Sequence, residues 1–400
     1  MRTLCISIIT MALLVGSAIG VAAQEDAGKP LTRSPMPSAV PPWPEVFRTD
    51  GLSWEPLDEP GTWTVYSDPH GGNFPGAAEM AIGPDGRPWF WEPGGCGDPM
   101  SDEEVMCTWQ MGTPGWSGFP PPGSYWLNDL AVTDDGTLWA ATQRGLRSFD
   151  GKTWSRHGGG DIGALAVAPD GSIWGFGSGE GFVVVRRYSG NEMTEQRMAQ
   201  AFPDYGPEPA LVPLDAVAAP DGDVWVGGGV MGMWGFLDAS DGFLARFDGE
   251  TWDAIHPLGE GTAAGVIALA VGPDAAVWAF LRAPAGFGDV EPYLARFDGQ
   301  GWTTYSTEDG LPGTAGSSLA VDPDGTVWLT LDSGEDGDEA ADGVVAFDGQ
   351  QWIRYLEGRP VDHLAIASDG TVFATAGAGT DGNPNVVAIR PRAAVHEPED

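Results

Sequence analysis

Ser318-Leu319-Ala320-Val321-Asp322-Pro323-Asp324-Gly325-Thr326-Val327-Trp328, followed by Val344-Val345-Ala346-Phe347-Asp348-Gly349-Gln350-Gln351-Trp352, decides the fold of this 400-residue chain. The first half recurs with its Asp at positions 85, 135, 170, 221, 274, 324 and 369. Four residues after each Asp stands an aromatic: Trp89, Trp139, Trp174, Trp225, Trp278, Trp328 and Phe373. The second half recurs as Phe-Asp-Gly-x-x-Trp at Phe149–Trp154, Phe247–Trp252, Phe297–Trp302 and Phe347–Trp352, with weaker copies at 111–116 and 188–193. A period of this length marks a repeat architecture.

Each repeat reads as four strands. Leu-Ala-Val before Pro-Asp-Gly is too short for a helix and ends in turn residues, so it is a buried strand. Pro fixes φ, Asp bonds its own backbone and Gly accepts positive φ, so Pro-Asp-Gly turns the chain. Thr-Val-Trp-Leu is β-branched and aromatic, which suits the second strand. A variable loop, a third strand, an Asp-Gly turn and a Trp-containing fourth strand complete the unit. Four strands in seven repeats predict an all-β, seven-bladed β-propeller over residues 61–392.

The last repeat has strands at 363–367, around Phe373 and at 386–389, and then lacks a fourth. Gly61-Thr62-Trp63-Thr64-Val65-Tyr66 resembles Gly301-Trp302-Thr303-Thr304-Tyr305. The N-terminal strand around Trp63 is therefore expected to be the outer strand of the last blade and to close the ring, leaving no open seam. Fourteen blade positions call for a large apolar side chain and twelve hold Trp, which assigns these tryptophans to packing between blades.

Outside the repeats, residues 1–23 have the pattern of a secretory signal: Arg2, an apolar core from Leu4 to Val15, and small residues through Ala23. Retention of this stretch as an anchor is the alternative. Residues 24–60 form a Pro-rich linker and 393–400 an acidic tail. Cys96 and Cys107, both in one long loop, are expected to form a disulfide, with a metal pair as the weaker reading. A net charge of -38, with Lys29 and Lys152 the only lysines, excludes nucleic acid and anionic membranes as partners. The expectation is a secreted monomer without stable membrane insertion once the signal is cut.

Strand topology puts the Pro-Asp-Gly and Phe-Asp-Gly turns on one face. The long, variable connections lie on the other, where binding residues concentrate. Six residues before each repeat Asp, a ring position at the start of the first strand holds Glu79, Asp129, Ala164, Asp215, Ala268, Ser318 and His363. First strands are otherwise Leu, Ala and Val, so the polar members Glu79, Asp129, Asp215, Ser318 and His363 are ligand-binding candidates; a hydrated lining is the alternative. Trp234 and Phe236 put apolar bulk in a loop and are candidates for a binding patch or a cap. The loop 332–339 offers Asp332, Glu335, Asp336 and Asp338 as calcium ligands, although it lacks EF-hand spacing and also reads as a solvated acidic loop. No nucleophile elbow, zinc spacing or phosphate loop is present, so no catalytic residue is assigned.

The paired units Asp-Gly-x-x-Trp and Phe-Asp-Gly-x-x-Trp, best seen from Leu319 to Tyr355, resemble the two-component-regulator propeller repeat of bacterial extracellular sensors. That resemblance implies a periplasmic or extracellular ligand-sensing propeller, here with no kinase segment after Pro391 and so unable to signal by itself. Ser148-Phe149-Asp150-Gly151-Lys152-Thr153-Trp154 resembles the Asp box of sialidases, a structural likeness. Ile82-Gly83-Pro84-Asp85-Gly86-Arg87-Pro88-Trp89-Phe90 is similar to the streptogramin lyase propeller. The expected function is non-catalytic binding of an extracellular protein or glycan through the loop-rich face. The alternatives are a lyase or glycoside-active enzyme using Glu79, Asp129, Asp215 or His363, and a purely structural surface protein.

Overall fold

The computed structural model describes residues 61–67, 79–92, 107–112, 115–119, 127–180, 182–190, 192–198, 210–231, 237–260, 264–286, 289–312, 316–331, 343–356, 358, 360–376 and 385–391. These form antiparallel sheets and one short 3-10 turn. Strand β1 (Gly61–Ser67) opens the chain. The first repeat gives β2 (Glu79–Ile82), β3 (Pro88–Glu92), β4 (Cys107–Gly112) and β5 (Gly115–Phe119). The second gives β6 (Leu127–Val132), β7 (Leu138–Thr142), β8 (Gly145–Phe149) and β9 (Trp154–His157). The third gives β10 (Ala164–Val167), β11 (Ile173–Glu180), β12 (Phe182–Ser189) and β13 (Glu192–Met198). The fourth gives β14 (Ala210–Ala218), β15 (Val224–Met231), β16 (Leu237–Phe247) and β17 (Trp252–Ala254). The fifth gives β18 (Gly265–Val271), β19 (Val277–Gly286), β20 (Asp289–Phe297) and β21 (Trp302–Tyr305). The sixth gives β22 (Leu319–Val321), β23 (Val327–Leu331), β24 (Gly343–Phe347) and β25 (Trp352–Tyr355), and the last β26 (Val361–Ile366), β27 (Val372–Ala376) and β28 (Asn385–Pro391).

The chain is an all-β propeller of four-stranded antiparallel blades, but its strands form six sheets and not the seven expected from the repeats. The reason is local. β11 runs on past its own repeat, and Gly179 and Glu180 pair with Leu211 and Ala210 of β14. That short ladder merges the third and fourth repeats into one eight-stranded sheet. Ring closure follows the expectation: β1 pairs with β28 from Gly61↔Pro391 to Ser67↔Asn385, giving the order β1-β28-β27-β26.

The turn between the first and second strands has the same backbone hydrogen bond throughout. In the first repeat the Gly86 N–H donates to the Gly83 carbonyl at 2.9 Å, Gly86 has φ 74°, and the Arg87 N–H donates to Asp85 Oδ1 at 3.1 Å. Asp holds the turn and Gly supplies the left-handed residue. The fifth repeat departs from it with Ala275, at φ 63°, and the sixth with Asp322, whose Oδ1 in place of Asp324 accepts the Thr326 N–H at 2.9 Å.

Tryptophan packing between repeats is direct. Trp174 meets Phe247 and Trp252 of the following repeat at 5.3 and 6.3 Å, and Trp225 meets Phe297 and Trp302 of its own neighbour at 5.4 and 6.0 Å. The second-strand aromatics Trp89, Trp174, Trp225, Trp278, Trp328 and Phe373 are buried, whereas the outer Trp154, Trp252, Trp302 and Trp352 are half-buried. Truncating a buried member removes transfer energy and leaves a cavity, at about 3–5 kcal/mol.

Candidate functional site at the channel mouth

The first strands of the repeats, β2, β6, β10, β14, β18, β22 and β26, line a central cavity of about 390 Å³. In four of them the ladder slips just before the ring position: at Leu127/Asp129, Pro213/Asp215, Val266/Ala268 and Val361/His363. A bulge re-aims the next side chain. Glu79, Asp129, Asp215, Ser318 and His363 all reach the cavity wall. The two ring alanines, Ala164 and Ala268, are buried instead and are not part of the lining. The structure thus brings together the five polar ring residues that the sequence singles out.

Their partners differ. The Leu130 and Leu165 N–H groups donate to Asp129 Oδ1 and Oδ2, each at 2.6 Å. The Ala216 and Leu269 N–H groups donate to Asp215 Oδ1 and Oδ2, each at 2.7 Å. The Leu364 N–H donates to Ser318 Oγ at 3.1 Å. Glu79 Oε2 lies 3.5 Å from His363 Nδ1, across the seam between the first and last repeats.

Burial governs the electrostatics. It pushes Asp215 up to about 7 against the pull of its two N–H donors. Burial, then the Asp215 charge, also holds Asp129 well above the usual carboxylate range. Glu79 is raised by burial first and then by the charges of Asp129 and Asp215. His363 is pushed down to about 4 by burial, so its imidazole is neutral at pH 7. The mouth is therefore a set of protonatable carboxyls around a neutral histidine, with no Lys or Arg among the lining residues.

Two threonines that sequence reasoning missed support the ring. Thr330 Oγ1 accepts the Ser317 and Ser318 N–H groups at 3.0 Å, and Thr375 Oγ1 accepts the His363 N–H at 3.0 Å. Both are buried. The available signal was a Thr two residues after the second-strand aromatic, at Trp328 and Phe373, in an otherwise apolar strand.

Trp234, Phe236, Cys96 and the acidic loop with Asp332, Glu335, Asp336 and Asp338 lie outside the described residues, as do residues 1–60 and 392–400. Cys107 begins β4, and no disulfide occurs among the described residues. Among those residues no group of three or more His, Cys, Asp or Glu is close enough to hold a metal ion, and no helix is long and apolar enough to cross a membrane.

No protein-family model matches the sequence, and no curated protein matches it. Solved structures do resemble it. A catalytically inactive variant of virginiamycin B lyase from Staphylococcus aureus with quinupristin superposes with TM-score 0.58 at 11% identity, covering 82% of this chain and 99% of that one. YCF48 bound to D1 peptide gives 0.52 at 15% identity, over 84% and 99%. The extracellular domain of a hybrid two-component system from B. thetaiotaomicron gives 0.50 at 14% identity, over 80% of this chain and 40% of that one. At these identities the likeness is one of fold: the chain shares the β-propeller architecture with a lyase, a peptide-binding protein and an extracellular domain.

Proposed function

We propose that this protein is a secreted, non-catalytic β-propeller that binds an extracellular small ligand at its channel mouth, and any protein partner on the surrounding variable loops. The observation that carries the reading is the convergence of Glu79, Asp129, Asp215, Ser318 and His363 on one cavity of about 390 Å³. A volume of this order lies in the range of small-molecule pockets. Neighbours of the same fold include enzymes and non-enzymes, so fold supports the architecture and leaves function to the site. We count the eight-stranded sheet as two blades joined through the end of β11, which agrees with seven sequence repeats. The Cys96–Cys107 disulfide, the cleaved signal and the monomeric state belong to the same proposal.

The test is a thermal-shift screen of the purified chain against calcium with chelator controls, cell-envelope glycans and small metabolites. A ligand that binds only the folded state at a hundredfold excess over its Kd adds about 2.7 kcal/mol of stability. The shift should vanish in the Glu79→Gln/His363→Ala double variant. A flat response throughout the panel would sink the small-ligand reading and leave the loops as the site of a protein partner.

One observation favours an enzymatic reading: Glu79 and His363 stand 3.5 Å apart with both groups moved toward neutrality. Perturbed groups paired in a cleft are what acid–base catalysis requires. A lyase or glycoside-active propeller would then use Glu79 as acid and His363 as base. Turnover of a polysaccharide or a cyclic ester substrate, abolished by His363→Ala, would favour it.

A further inference from the structure

The ring of seven positions is not a ring of equivalent groups. In chain order it reads Glu79, Asp129, Ala164, Asp215, Ala268, Ser318 and His363, with each Asp followed by an Ala in the next repeat. Hydrogen bonding accounts for the alternation. Asp129 takes the N–H of its own following residue, Leu130, and that of Leu165 in the next repeat. Asp215 does the same with Ala216 and Leu269. One carboxylate therefore satisfies the equivalent N–H of two consecutive first strands. The ring position of the second of those strands needs no acceptor, and Ala164 and Ala268 fill it, buried at 0% and 2% exposure.

Ser318 makes a one-armed version. Its Oγ takes the Leu364 N–H, and the neighbouring Ser317 Oγ donates to the Asp362 carbonyl at 2.6 Å. A β-bulge precedes both Asp129 and Asp215, as it does Ala268 and His363, so the bulge alone does not make a clasp. Only at the seam does the pattern change. The Leu130 N–H, which Glu79 would meet by the same rule, is already held by Asp129. Glu79 instead meets His363, with Oε2 3.5 Å from Nδ1.

We propose that Asp129 and Asp215 are positioning residues, each clasping two consecutive inner strands with both carboxyl oxygens to fix the width of the channel mouth, and that Glu79 and His363 are the ring side chains left to meet a ligand. The second half of this statement rests on the binding function proposed above, and the first half does not. Buried N–H groups without an acceptor are rare in native structures, so a carboxylate that serves two at once is a structural commitment. A clasp of this kind also holds two carboxyls on the cavity wall that Glu79 shares, and their charge raises Glu79, which couples the clasps to the protonation of the seam pair.

The test uses the full chain and needs no ligand for its first arm. Amide hydrogen exchange is followed at Leu130, Leu165, Ala216 and Leu269 in wild type, Asp129→Asn, Asp215→Asn and Glu79→Gln. Asn keeps one acceptor oxygen and the side-chain volume, so these variants should fold. Asp129→Asn should speed exchange at Leu130 or Leu165 by tenfold or more and leave Leu269 unchanged, and Asp215→Asn should do the converse. Glu79→Gln should leave all four protected. Equal protection in wild type and the Asn variants would overturn the clasp.

A second arm separates positioning from mere bracing. The chain has five histidines, so the His363 imidazole can be assigned by its loss in His363→Ala and titrated by NMR. Removing a titratable carboxyl in Asp129→Asn or Asp215→Asn should move the titration of Glu79, followed by its carboxyl carbon, to lower pH; an unmoved Glu79 curve would show bracing without influence on the seam. Finally, with any probe that shifts the melting point, Glu79→Gln should lose the shift while each Asn variant retains part of it. A shift lost equally in all three would overturn the assignment of Glu79 as the contact and leave the exchange result standing.

Discussion

Two sets of aspartates in this molecule make the same hydrogen bonds and behave in opposite ways. On the short-turn face, Asp150 Oδ1 accepts the Lys152 and Thr153 N–H groups, and Asp298 Oδ1 accepts those of Gln300 and Gly301, at 2.7–2.9 Å. Those carboxyls are held below their ordinary value, the Thr153 and Gly301 N–H groups being the largest cause in each case. At the channel mouth, Asp129 and Asp215 also accept two N–H groups apiece, yet burial raises both. Donors stabilise the charged form in each place. The difference is water: an exposed carboxylate keeps its hydration, whereas a buried one loses it, and desolvation outweighs two backbone donors.

The largest effect expected from this contrast is on stability. Asp215→Ala would leave the Ala216 and Leu269 N–H groups without their acceptor, at about 1–3 kcal/mol for each unsatisfied group. Asp298→Ala, at a hydrated turn, is expected to cost much less. Chemical denaturation of the two variants at pH 5 measures the gap; equal losses would break the comparison.

Next is pH. Asp215 goes from an ordinary carboxylate to about 7 on folding, so the folded state holds more protons. Stability from this group is present below the unfolded value and declines as pH rises from about 4 through 7. His363 works the other way: lowered to about 4, it makes the unfolded state the better proton binder, and stability rises with pH from about 4 to 6.5. In wild type His363 offsets part of the decline from Asp215, to which Asp129 and Glu79, also raised by burial, add. His363→Ala should steepen the decline in melting temperature over that range, and Asp215→Asn should flatten it; scanning calorimetry from pH 4 to 8 checks both changes of slope.

The smallest effect lies in the turn series itself. Ala275 occupies the left-handed position that Gly fills in the other repeats. Ala275→Gly removes strain of about 1–2 kcal/mol and adds unfolded-state entropy of about 0.5–1, for a net gain of about half a kilocalorie per mole. A lower melting point in the variant would show that the turn is not strained.

Much of the architecture was legible because the repeat writes its own turns. Pro-Asp-Gly and Phe-Asp-Gly fix where strands end, and the tryptophans fix which side chains meet across repeats. The N-terminal strand was placed correctly from its likeness to Gly301–Tyr305, since an outer strand is the same chemistry wherever the chain supplies it. The ring candidates were visible as polar residues in apolar strands. Thr330 and Thr375 were not, because a Thr in a strand is ordinary until its hydroxyl is seen to accept a specific N–H.

By itself the sequence determined the repeat, the strands within it, the packing role of the tryptophans and the identity of the polar ring, all of which depend on local chemistry at fixed spacing. Tertiary structure alone decided the rest. Six sheets replace seven because β11 extends by two residues into pairing distance of β14. Asp129 and Asp215 become clasps because neighbouring first strands come within reach of one carboxylate, and their acidity is weakened because the ring takes part of their water. Spacing along a chain specifies neither distance between strands nor access to solvent, and those two quantities divide the residues that hold the mouth from those that face it.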